Sequence, residues 1–223
     1  MIDARIREDI FPVKIIESSG SIEGAEKLLN ACDMQIGLTE TELMHVTGKA
    51  HIILDFGKEY NAGVRILTHH SKGGFTHVRL RCGESVSESC ASLGDRGAHN
   101  HHTLRDIEAD LIDLSDMSFL ETGFRFLRID FPEGTDTYIK AVVAVYIHRD
   151  LKAAGGFKCN DERVNEIFEV AARTLTLNMQ RYIWDGIKRD RLVWVGDMHP
   201  ETSGIISLFG SDKSVIESLE YAC

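Results

Sequence analysis

Asp185-Gly-Ile-Lys-Arg-Asp-Arg-Leu-Val-Trp-Val-Gly-Asp197 is the stretch on which the reading of this chain turns. It gathers three carboxylates (Asp185, Asp190, Asp197), three cations (Lys188, Arg189, Arg191) and one indole (Trp194), with glycine at 186 and 196. Carboxylates supply acid, base and hydroxyl contacts, and an aromatic face packs on the apolar side of a pyranose, so the mixture suits a sugar site. A plainer alternative has the same composition: a solvated connection between two helices, with Trp194 plugging a core.

The flanks read as helices. Before the stretch, Asn160 can cap a helix whose first turn carries Asp161 and Glu162, favourable at the positive end of the dipole. Val164, Ile167, Phe168, Ala171, Ala172 and Leu175 then form one apolar stripe at helical spacing, and the helix should run to about Gln180. After the stretch, a helix from Pro200 to Phe209 should bury Ile205, Ile206 and Leu208, and another starts near Asp212. His199 and Glu201 either extend the acidic edge toward a ligand or simply begin that helix, Pro200 and Glu201 both suiting its first turn.

Further upstream the period changes to two. Segments 50–56, 64–68, 77–82, 123–131 and 138–147 read as strands, with corners at Gly57, Gly63, Gly73-Gly74, Gly83 and Pro132-Glu-Gly134. Phe124, Phe126 and Ile129 or Phe131 alternate imperfectly with Arg125, Arg128 and Asp130, which predicts one buried face, one wetter face and a bulge. Strands at this spacing without long intervening helices point to an antiparallel, jelly-roll-like β-sandwich. The expected organisation is an N-terminal segment over 1–48 with a short helix near 22–29, a sandwich over 49–152 and helices over 153–223. The N-terminal segment is either an edge of the sandwich or the tail of something upstream.

Charge and composition exclude several classes. A net charge of -10 with no basic run argues against nucleic acid. No apolar stretch approaches the roughly 20 residues needed to cross a bilayer, and the N-terminus lacks an apolar signal core. The compartment is open, with the cytoplasm favoured over export. Five cysteines (32, 82, 90, 159, 223) follow no metal-ligand spacing and read as reduced thiols, mostly packed as small apolar residues. His99, His101 and His102, like His69 and His70, sit in polar surroundings and read as solvated. No cofactor or metal is called for; the expected partner is a carbohydrate.

The central stretch resembles the active-site signature of the family 78 glycoside hydrolases, the α-L-rhamnosidases, written Asp-Cys-Pro-Gln-Arg-Glu-Lys-Leu-Gly-Trp-x-Gly-Asp. Phe157-x-Cys-Asn-Asp-x-x-Val-Asn165 is similar to the opening of that family's helical barrel. Leu54-Asp-Phe-Gly57, Gly83-Glu-Ser85 and Thr122-Gly-Phe-Arg-Phe126 resemble the β-sandwich that precedes it. The resemblance implies hydrolysis with inversion, Asp190 occupying the place of the general acid. Asp185 and Asp197 then match carboxylates that hold the sugar hydroxyls, Arg189 a neighbouring cation and Trp194 an aromatic lining the pocket. An acidic pocket around a buried indole is the expected geometry, with a base carboxylate about 6.5–9.5 Å from the acid.

Three departures accompany the likeness. Asp190 stands where the family has Glu, one methylene shorter, and Gly186-Ile187 replaces Cys-Pro. An (α/α)6 barrel needs about twelve helices of ordinary length, whereas two or three fit between Phe157 and Cys223, and no residue matches the family's base. The expectation is therefore the N-terminal portion of a longer enzyme, inactive alone, with Ile205, Ile206, Leu208 and Phe209 poorly covered. The alternative is a carbohydrate-binding or supporting module carrying a vestigial site.

Overall fold

The structure is a computed structural model and describes Asp3 and residues 5–223. The fold is mostly antiparallel β, one curled sheet, with four α-helices among the described residues. Two compact units result, one spanning Glu8–Tyr146 and the other Ile147–Cys223 with Asp3 and residues 5–7.

The strands are β1 (Ile6–Ile10), β2 (Lys14–Glu23), β3 (Met44–Ser71), β4 (Phe75–Gly83), β5 (Asp106–Ile112), β6 (Ser115–Phe131) and β7 (Asp136–His148). Their order is β1-β7-β3-β6-β4-β5, with β2 also paired to β3. β3 replaces the two strands expected over 50–56 and 64–68. β3 runs on through a bend at Gly57: its φ is +80, and its N–H donates to Asp55 Oδ1 at 2.7 Å. Arg125 fixes that bend by donating to both Asp55 oxygens at 2.7 and 2.8 Å, which holds the Asp55 carboxyl below the usual range. The extra residues fall here on β3, not on the 123–131 strand where a bulge was expected: pairing with β6 jumps from Asp55↔Phe126 to Tyr60↔Phe124.

β3 is long enough for its two ends to flank the same partner. Tyr138 of β7 pairs with His45 near the start of β3 and with His70 near its end. That double pairing is the curl of the sheet. The inner face then encloses Ile52, Leu54, Val64, Ile66, Leu80, Phe124, Leu127 and Ile129, all fully buried. Burial of such side chains is worth about 1.5–3 kcal/mol each and dominates the stability of this unit. The segment near 22–29 is less helical than expected: β2 runs to Glu23, and only a 3₁₀ turn, Ala25–Leu29, follows.

The helices are α1 (Val86–Cys90), α2 (Glu162–Asn178), α3 (Met198–Phe209) and α4 (Lys213–Ala222). Asp161, not Asn160, caps α2 by accepting from Arg163 N–H at 3.0 Å. The stripe on α2 is covered only toward its C-terminal end, where Leu175 packs against Met179, Ile183 and Ile205; Val164 and Ile167 are exposed. On α3, Ile205 and Leu208 are buried and Phe209 is half-buried, against the expectation of poor cover, while Ile206 stays 56% exposed. No helix of the structure is long and apolar enough to cross a membrane. The cysteines are free, and of the five only Cys82 is buried, where desolvation pushes its thiol far above the usual value.

Candidate functional site: the connection between α2 and α3

Several ties within the helical unit aim the 185–197 stretch. α2 ends by folding back on itself: Met179 bridges Ile183, and Trp184 N–H donates to Asn178 O at 3.0 Å. Gln180 is fully buried in that turn, its amide donating to Leu177 O at 2.8 Å and Ile147 O at 3.1 Å. α4 adds the Ser218 hydroxyl, which accepts from Ile183 N–H at 2.9 Å. A buried amide satisfied on several sides rigidifies the backbone that carries it. The site is therefore launched from a fixed point.

Asp185 closes the loop that follows. Its N–H donates to Leu192 O at 3.0 Å, and its Oδ1 accepts from Leu192 N–H at 2.8 Å. Residues 186–191 are pinched out between these two positions, with Ile187 turned inward and buried. Space at Gly186 is tight: an added Cβ would lie 3.1 Å from Arg189 O. At the tip, Asp190 and Arg191 both take left-handed backbone, φ 66 and 54. Two successive non-glycine residues there cost roughly 1–2 kcal/mol each. Part of that is offset by the Arg191 guanidinium, which lies over the Trp184 ring at 4.4 Å. Asp190 contacts Arg189, Oδ2 to Nε 3.7 Å, and its side chain is 37% exposed.

The second half of the stretch turns into α3. Asp197 N–H donates to Trp194 O at 3.1 Å and Met198 N–H to Val195 O at 3.3 Å, after which buried Met198 opens the helix. Trp194 is 58% exposed. Its ring folds back over Gly196, whose hypothetical Cβ would sit 3.4 Å from the indole Nε1. The indole is thus neither the buried centre of an acidic pocket nor the plug of a core; it is an open aromatic surface.

The carboxylates divide. Asp185 and Asp197 lie close enough for both charges to act on Glu201, in the first turn of α3. Burial, then Asp197, then Asp185 raise the Glu201 carboxyl to about 7. Asp190 stands at the loop tip beside Arg189. Sequence reasoning left Glu201 open between helix start and ligand contact. A signal that could have favoured a site is its four-residue spacing from Asp197, one turn along the same helix face. His199, the other open position, is exposed. Among the described residues no group of three His, Cys, Asp or Glu is arranged to hold a metal ion.

Comparisons with known proteins bear on this segment and on the fold. Residues 152–220 match the bacterial alpha-L-rhamnosidase six-hairpin glycosidase domain. No curated protein sequence matches the chain. Among solved structures, a rhamnosidase from Klebsiella oxytoca with rhamnose bound is 20% identical with a TM-score of 0.75; the match covers 98% of this chain and 44% of that one. The family 78 rhamnosidase of Bacillus sp. GL1 is 18% identical with a TM-score of 0.66, covering 87% of this chain and 20% of that one. The α-L-rhamnosidase of Dictyoglumus thermophilum is 18% identical with a TM-score of 0.63, covering 98% of this chain and 21% of that one. The 223 residues therefore span less than half the length of each of these proteins. Residues 152–220 thus match the six-hairpin glycosidase domain of the bacterial α-L-rhamnosidases, and the fold of the chain matches part of three rhamnosidases.

Proposed function

We propose that the 185–197 connection is the sugar-binding half of a glycosidase site directed at terminal α-L-rhamnosyl or closely related linkages, cleaved with inversion. In this reading α2, α3 and α4 are the first helices of an (α/α)6 barrel, and the curled β unit is the sandwich that precedes it. Asp190 is the general acid, held at the loop tip where it can approach a glycosidic oxygen. Asp185 and Asp197 accept bonds from sugar hydroxyls, Arg189 contributes a cation beside the acid, and Trp194 offers a stacking face. The base carboxylate comes from outside these 223 residues, about 6.5–9.5 Å across the scissile bond when the site is complete.

The observation that supports this most is the pairing of an open indole with two carboxylates on a loop closed by Asp185 and Leu192. A structural connection gains nothing from exposing Trp194 at 58% or from holding Asp190 and Arg191 in left-handed backbone. A second reading, binding without turnover, draws on Asp190 itself. One methylene shorter than Glu and only 3.7 Å from Arg189, it reaches less far toward a substrate, and small misplacements at a reacting centre cost about 10²-fold in rate.

One experiment addresses both readings. The 223-residue chain should bind L-rhamnose weakly, in the millimolar range or about -4 kcal/mol, yet release no aryl group from an aryl α-L-rhamnoside. Hydrolysis by the chain alone, abolished in Asp190→Asn, would place the base within these residues and overturn that part of the proposal. Binding that survives Asp185→Ala and Trp194→Ala unchanged would remove the site altogether.

A further inference from the structure

We propose that Arg191 positions the acid: stacked on Trp184, it pins the loop tip in a strained turn with Asp190 at its apex. This rests on the sugar-site reading above and adds to it Arg191 and Trp184, two residues to which that reading gives no part.

Asp190 is the middle residue of a three-residue turn. Arg191 N–H donates to Arg189 O at 2.9 Å across it, and Asp190 has φ 66. Such a bond around a left-handed centre is the strained form of the γ-turn, which persists where its surroundings hold it. Arg191 continues in left-handed backbone at φ 54, and neither residue is a glycine. The Arg189 carbonyl that accepts the bond lies close over Gly186, 3.1 Å from where a Cβ would stand. The tip is thus folded back on the limb that leads to it.

The ties on this loop act at different places. The Asp185–Leu192 clasp closes the neck, and buried Ile187 fixes the first limb. The Arg191 guanidinium reaches from the tip to the root, over the Trp184 ring at 4.4 Å. That ring sits on anchored backbone: Trp184 N–H donates to Asn178 O at 3.0 Å, and Ile183 before it is buried and bonded to the Ser218 hydroxyl. A cation on an indole face shifts an opening equilibrium by about 2- to 30-fold. One left-handed non-glycine residue opposes closure by about 5- to 30-fold. The two effects are of one size, so loss of the stack is enough to let the turn open.

The chemistry follows from reach. Asp190 is one methylene shorter than Glu, so the place of its carboxyl follows its backbone closely, and a reacting centre tolerates little misplacement. An open turn would leave Asp185, Trp194 and Asp197 in place for the sugar while the acid pointed elsewhere. Arg191 is therefore a positioning residue that acts through Asp190.

The test uses the 223-residue chain and two NMR readouts. The first is protection of the residue-191 amide from hydrogen exchange, corrected for local sequence, which reports closure of the turn. Arg191→Gln and Trp184→Leu should each lower it about tenfold. Arg191→Lys and Trp184→Phe, which keep a cation on a ring, should stay within threefold of the parent. The Leu192 amide, held by Asp185, should keep its protection throughout. The second readout is the Asp190 carboxyl carbon on addition of methyl α-L-rhamnoside, which carries a glycosidic oxygen. It should shift in the parent and in Arg191→Lys but not in Arg191→Gln, while affinity read at Asp185 and the Trp194 indole stays within threefold. Unchanged residue-191 protection in Arg191→Gln and Trp184→Leu overturns the proposal. So does an Asp190 response that is absent from the parent or survives in Arg191→Gln. A parallel loss of Leu192 protection or of affinity also overturns it, by making the stack a general support of the loop. No response to the glycoside at any residue of the parent refutes the sugar-site reading and the role of Arg191 with it.

Discussion

Asp185→Ala should weaken L-rhamnose binding by about 10- to 100-fold, the loss expected when a charged hydrogen-bonding group worth roughly 1.5–3 kcal/mol is removed. Two effects combine. The carboxylate itself is lost as a hydroxyl acceptor, and Leu192 N–H loses the Oδ1 that holds it at 2.8 Å. The loop tip at Asp190 and Arg191, already in left-handed backbone, then has one fewer tie. Asp185→Asn separates the contributions, since an amide oxygen can still accept from Leu192 while the charge is gone. Its affinity should lie between the parent and Asp185→Ala, with the loop intact. Equal affinities in all three proteins, measured by calorimetry at pH 6, would remove Asp185 from the site.

Gly155→Ala should destabilise the helical unit by about 3–5 kcal/mol, combining two weakened hydrogen bonds with overpacking strain. A Cβ at this position would sit 1.9 Å from Ser207 O, a backbone atom of α3 that cannot rotate away. Relief requires the segment to lift, and Ala154 N–H and Gly155 N–H both bond Leu208 O, at 2.7 and 3.0 Å. Gly156→Ala is the control: nothing lies within 4 Å of its added carbon, so little should change. Both tryptophans, Trp184 and Trp194, belong to this unit, which makes urea unfolding followed by indole fluorescence a report on it alone. A shift of under 1 kcal/mol for Gly155→Ala would mean that the contact of this segment with α3 is not as tight as described.

What could be read from the sequence followed from local pattern. Strands β4, β6 and β7 carry apolar residues at the strand period, and α4 is capped by Asp212, whose side chain accepts from Ser214 N–H. β2 and β5 were not legible for a physical reason. β2 is a polar run containing Ser18, Ser19 and Ser21 whose residues are mostly exposed, and β5 alternates charges at the end of the strand order; each gains its ladder from a neighbour rather than from its own burial. Nor did the glycines at 57 and 63 end a strand, because the Asp55–Arg125 pair carries β3 through the bend.

The candidate site divides along the same line. The spacing of Asp185, Arg189, Trp194 and Asp197 is a property of the sequence and was visible there. The exposure of Trp194 and the approach of Asp185 to Glu201 depend on how the turn at Met179–Ile183 and the Asp185–Leu192 closure aim the loop. That information is non-local, so the sequence left Glu201 open between the acidic edge and the first turn of a helix.

Amide and indole chemical-shift mapping with L-rhamnose at pH 6 tests the central claim most directly. The account predicts saturable shifts centred on Asp185, Leu192, the Trp194 indole N–H, Asp197 and Glu201, with residues 8–146 unmoved. Shifts confined to the β unit, or none at saturating sugar, would contradict it.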